Sequence, residues 1–77
     1  MNEKIIEVTK KELEKAVQKF EDAKAEAIKT LEAMNVNTAV TFGAGLACHI
    51  DDVTRYAAEV EKQKEFLRMI EYYSKNN

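Results

Sequence analysis

Residue types able to hold a divalent cation gather in two short stretches of this 77-residue sequence: Glu21, Asp22 and Glu26 in the first half, His49, Asp51 and Asp52 in the second. Carboxylates with one imidazole are ligands for such ions. If the two halves fold back on each other about Val36, the stretches become neighbours. Asp22, Glu26, Asp51 and Asp52 nevertheless fall at outward positions of a helical wheel, where side chains diverge into water, so no metal and no cofactor is expected. The better reading of Glu21, Asp22, Asp51 and Asp52 is an acidic patch that receives Lys or Arg from a protein partner.

No nucleophile is built either. Cys48 and His49 are adjacent, which on a helix sets them about 100° apart, too divergent for one to activate the other. Phe42-Gly43-Ala44-Gly45 lacks the Lys-Ser or Lys-Thr that completes a phosphate-cradling loop, and no strand precedes it. Lys11, Lys15 and Lys19 recur every four residues, a basic stripe able to touch phosphates. Acidic residues interrupt it, and no aromatic side chain is interleaved for base stacking. The tail, Phe66, Leu67, Arg68, Met69, Ile70, Glu71, Tyr72 and Tyr73, collects the types enriched at protein interfaces.

The elements that position these groups are helical. Glycine occurs only at 43 and 45, and proline is absent. Thr9 and Glu12 spell a capping box, with Val8 and Leu13 as its hydrophobic staple, so helix 1 is expected over 10–34 behind an arm over 1–9. Leu13, Val17, Phe20, Ala27, Leu31 and Met34 follow heptad spacing, with Lys24 at one seam position, where a polar group can fix register or oligomeric state. Asn35-Val36-Asn37-Thr38 is the turn, and Asn37 or Thr38 the next N-cap.

Helix 2 is expected over 38–74, because Phe42, Leu46, Ile50, Val53, Ala57, Val60, Leu67 and Ile70 keep one phase. Asp51 and Asp52 are good N-caps, so a break near 49–52 that makes three helices is the competing reading.

Pairing the helices about Val36 matches residues whose numbers sum to roughly 73. That register sets Ile28 and Leu31 against the small residues Ala39, Gly43, Ala44, Gly45 and Ala47, and Lys10, Lys11 and Lys15 near Glu59, Glu61 and Glu65. It also leaves Phe66, Leu67, Met69, Ile70, Tyr72 and Tyr73 beyond the end of helix 1, partly covered by Ile5, Ile6 and Val8 of the arm.

A chain this short holds one domain and buries little apolar surface, so idealised helix packing or self-association is expected to support it. The single cysteine excludes a disulfide framework and suits a reducing compartment. With 14 acidic and 12 basic residues, the net charge of -2 suits neither a DNA mimic nor a strongly basic nucleic-acid binder. No apolar run marks a signal peptide or a membrane span, and a cytoplasmic setting is expected. Lysine far outnumbers arginine, a bias common in AT-rich bacterial and phage genomes. No family motif is present: small secreted helical hairpins carry a Trp-x-Gly turn, and this sequence has no tryptophan.

The sequence therefore reads as an all-α antiparallel helical hairpin that forms a helical-bundle homodimer. Its expected role is non-enzymatic: a small regulator or inhibitor docking on a larger protein through Phe66, Met69, Ile70, Tyr72 and Tyr73 and the acidic patch. The alternative is a nucleic-acid-binding hairpin dimer that uses the Lys11, Lys15 and Lys19 stripe.

Overall fold

A computed structural model describes residues 2–75 as two α-helices, α1 (Asn2–Ala33) and α2 (Ala39–Lys75), folded into an antiparallel hairpin. The all-α expectation holds. The rod measures 61 × 14 × 11 Å over its Cα atoms.

The N-terminal arm is replaced by helix. α1 starts at Asn2, and Thr9 lies in its interior, where the hydroxyl donates to the Ile5 carbonyl at 2.8 Å instead of capping. A capping box requires a non-helical residue at its first position, and nothing between Glu3 and Val8 breaks a helix. Thr9 is also one of the most buried residues, 5% exposed, because it continues the seam. Residue 1 of the expected arm lies outside the described residues. With α1 two turns longer than expected, helix 1 runs alongside the tail, and the overhang past residue 63 does not exist.

The turn is built as a small hydrogen-bonded knot. Asn35 Oδ1 accepts from the Asn37 and Thr38 amides at 2.9 and 3.2 Å, while the Asn35 amide donates to Thr38 Oγ1 at 3.0 Å. The Thr38 carbonyl accepts the first bond of α2 from the Phe42 amide at 2.9 Å, so Thr38 is the N-cap. α2 then runs unbroken through Asp51 and Asp52, which excludes the three-helix reading. Without a proline or a turn sequence at 49–52, two potential caps do not outweigh continuous backbone hydrogen bonding.

The seam keeps its heptad period but not all its members. Residues facing the other helix are Ile6, Thr9, Leu13, Ala16, Phe20, Ala23, Ala27 and Thr30 on α1, with Met34 just past its end. On α2 they are Ala39, Phe42, Leu46, His49, Val53, Tyr56, Val60, Gln63, Leu67, Ile70 and Ser74. Leu13, Phe20, Ala27 and Met34 stand as expected, but Ala16, Ala23 and Thr30 replace Val17, Lys24 and Leu31 as their partners. Likewise Ile50 yields its place to His49. Small side chains inside the seam let the helix axes approach, and the larger ones turn to the flanks.

Two further expectations fail with it. Ile28 and Leu31 do not press into the glycines, since a Cβ placed on Gly43 or Gly45 would meet nothing within 4 Å. The expected charge pairing between the helices fails in part: Lys11 pairs with Glu7 at 3.6 Å and Lys15 with Glu12 at 3.3 Å on their own helix, although Lys15 lines one groove with Glu59 of α2. Among the described residues every ion pair joins positions three or four apart on one helix, the nearest neighbours that a helix surface offers.

A two-layer rod has little inside. Among the described residues the buried apolar ones are Ala16, Ala27 and Val60, and no large side chain is fully enclosed. Large apolar groups that one seam cannot hide lie on its two flanks.

Candidate functional site

The flanks divide the hairpin into two faces. Glu12, Lys19 and Glu26 of α1 lie on the same side as Asp52, Glu59 and Phe66 of α2 and line a run of grooves with them. Facing pairs such as Glu12 with Gln63, Lys19 with Tyr56 and Glu26 with His49 show a register close to the expected one. The other face carries the residues on the far side of each seam: Val17, Lys24 and Leu31 from α1, and Gly43, Ile50 and Ala57 from α2.

At the open end of the groove face, where the chain starts and finishes, Val8, Thr9 and Glu12 meet Lys62, Gln63, Glu65, Phe66 and Met69 around a cavity of about 620 Å³. Its walls are largely apolar. Phe66 is 54% exposed, and Val8 and Met69 are about half exposed, so the cavity is an open trough rather than a core. Tyr72 and Tyr73 extend this end, with ring centroids 5.5 Å apart and planes at 80°. Ile70 and Leu67 differ from the exposed tail residues: both lie half-buried in the seam against α1. Val8 was not a candidate wall, because it was assigned to the arm. Helical continuity through Ile5, Ile6 and Val8 is the signal that points to it.

The acidic patch assembles only in part. Asp22, Glu26, His49 and Asp52 line one groove of about 330 Å³ with Lys19, Ala23 and Tyr56. Glu21 turns to the opposite face, and Asp51 stands on the outermost strip of α2, directly away from α1. Asp22 and Asp52 also have partners on their own helices. Gln18 donates to Asp22 at 2.9 Å, and Arg55, itself stacked over Tyr56 at 5.2 Å, meets Asp52 at 2.9 Å. Lys24 holds Glu21 at 3.2 Å while lying 5.9 Å from the centre of the Phe20 ring. Among the described residues no three His, Cys, Asp or Glu side chains converge on a cation position.

The basic stripe winds around α1 instead of forming a strip. Lys11 is on the outer strip and Lys19 in the grooves, and Glu7 and Glu12 neutralise Lys11 and Lys15. Cys48 is an exposed free thiol. No helix among the described residues is long and apolar enough to cross a membrane.

Comparison with protein-family models, with curated proteins and with solved structures finds no match for this chain. Its function is argued from the surfaces themselves.

Proposed function

We propose that this chain is a non-enzymatic protein-interaction module, a small regulator or inhibitor whose open-end trough docks on a larger protein. The supporting observation is the trough walled by Val8, Phe66 and Met69, a concave apolar site on an otherwise charged face. An adaptable methionine beside a phenylalanine suits the apolar stripe of an amphipathic helix, with Glu12, Lys62 and Glu65 at the rim to orient it. The acidic patch contributes less to this reading, because Gln18 and Arg55 already occupy Asp22 and Asp52. A cytoplasmic setting accompanies it, since a reducing compartment keeps the exposed Cys48 thiol free. The nucleic-acid alternative has less support, with two of its three lysines paired to glutamates.

Selection from a displayed library of helical peptides tests the docking reading. The expected winners carry apolar residues at i, i+3, i+4 and i+7 and lose at least tenfold in affinity on Phe66→Glu. Peptides that bind wild type and Phe66→Glu equally would place the docking surface elsewhere.

A further inference from the structure

The face opposite the trough carries an apolar ladder that the hairpin covers only in part, with Gly43 and Ala57 half-buried and Val17, Leu31 and Ile50 exposed. In the observed register its side chains form three rungs: Val17 with Ala57, Lys24 with Ile50, and Leu31 with Gly43. Successive rungs are one heptad apart, about 10 Å. Val17, Leu31 and Ile50 are 39%, 54% and 50% exposed, and Ile28 lies beside them.

Two features say what covers this ladder. The first is its symmetry. A two-fold axis through the Lys24–Ile50 rung, lying between two stacked hairpins and perpendicular to the rod, exchanges Val17 with Leu31 and Gly43 with Ala57 and returns Ile50 and Lys24 each to itself. Each exchange places like against like: apolar on apolar, small on small. Such self-complementarity is what an isologous contact requires, and a foreign partner has no need of it.

The second is its extent. With the axis at that rung, the turn of a second copy ends near Leu13 of the first. The rungs from Val17 to Leu31 all lie within the overlap. The mixed charges of Glu3, Glu7, Lys10, Lys64, Arg68 and Glu71 all project past the partner's turn into water. Beyond the second copy these positions carry charges alone, whereas within the overlap Glu14, Glu21 and Glu61 share the face with the ladder.

We propose that a second copy of this chain docks antiparallel on the ladder, giving a four-helix bundle with α1 against α1 and α2 against α2. Gly43 then has a purpose that the hairpin alone does not give it. A Cβ there would meet nothing within 4 Å in one copy, whereas in the bundle the glycine lets Ala57 of the second copy approach. Lys24 sits at the axis, and its ion pair with Glu21 balances the charge that two copies bring together. Lys24 is thus the polar register-setting position of the heptad pattern, moved from the seam within one chain to the contact between two. The arrangement leaves both troughs free, one near each end of the bundle and facing outward.

The test is cross-linking of the full chain. In a Cys48→Ala background, Ile50→Cys should form an intermolecular disulfide nearly quantitatively under copper–phenanthroline and air, because position 50 meets its own copy at the axis. Val17→Cys alone should link at least tenfold more slowly, and pairing it with Leu31→Cys should restore fast linking. Leu31→Glu should convert the unlinked chain to a monomer with its helix content retained. The proposal is overturned if the unlinked chain is monomeric at tens of micromolar, or if position 50 links no faster than position 17. It is equally overturned if Phe66→Glu, rather than Leu31→Glu, dissolves the dimer.

Discussion

The two uncovered apolar regions differ in shape more than in composition. At the open end, Val8, Phe66 and Met69 curve around a trough of about 620 Å³, and no two-fold operation maps that trough onto itself. On the opposite face, Val17, Ile50 and Leu31 stand one heptad apart in a ladder with an apolar residue at either end. Concavity suits an inserted side of a different molecule, and such a ladder suits a second copy. On the proposed reading, the same hairpin offers one heterologous and one isologous surface. The bivalent bundle that follows would gain avidity for any target presenting two helices.

The comparison breaks first at the seam that both faces share. Val60 is 8% exposed, and replacing it with aspartate buries an unpaired charge, costing about 3–5 kcal/mol. The Val60→Asp chain should show no cooperative thermal transition by circular dichroism, and a melting point within a few degrees of wild type would contradict the seam. A smaller effect separates the two faces: Ile50→Glu is expected to weaken self-association more than a hundredfold while helical peptides still bind the trough. Sedimentation and peptide titration read these independently, and joint loss of both would merge the two surfaces into one.

Phe66→Ala should act in the reverse sense. It is expected to remove about 1–3 kcal/mol of peptide affinity with the dimer constant unchanged, measured by calorimetry on the same sample. The smallest effect is the most specific. Gly43→Ala should raise the stability of a monomeric Leu31→Glu chain by about 0.5–1 kcal/mol through helix propensity, yet weaken the dimer of the otherwise wild-type chain. Denaturant melts of the two backgrounds should thus move in opposite directions, and movement in one direction only would remove the glycine from the contact.

Much of this architecture is legible in the residues. The scarcity of breakers and the Asn35 to Thr38 turn give two helices with the right hinge, and heptad spacing gives Leu13, Phe20, Ala27, Met34, Val53, Val60 and Leu67 their places. Periodicity could not say which neighbour of each heptad position turns inward. Val17 and Ala16 flank the same stripe, and hydrophobicity alone favours valine, whereas axis-to-axis distance favours alanine. The helix start was misread for a related reason. Thr9 has the side chain of a cap, but inside a helix its hydroxyl satisfies itself on the Ile5 carbonyl, and only the length of the opposing helix shows which use prevails. Of the candidate site, the tail residues Phe66 and Met69 were visible by type, while Val8 was hidden by that misplaced start. The ladder was hidden for the first reason, because the residues that form it had been assigned to the seam.

The solution mass over a concentration series, with wild type, Ile50→Glu and Phe66→Glu run side by side, tests the division of labour between the faces most directly. Wild type and Phe66→Glu are expected at twice the 8.8 kDa chain mass, and Ile50→Glu at the chain mass itself. A wild-type chain that stays monomeric, or a dimer lost on Phe66→Glu and kept on Ile50→Glu, would contradict the account.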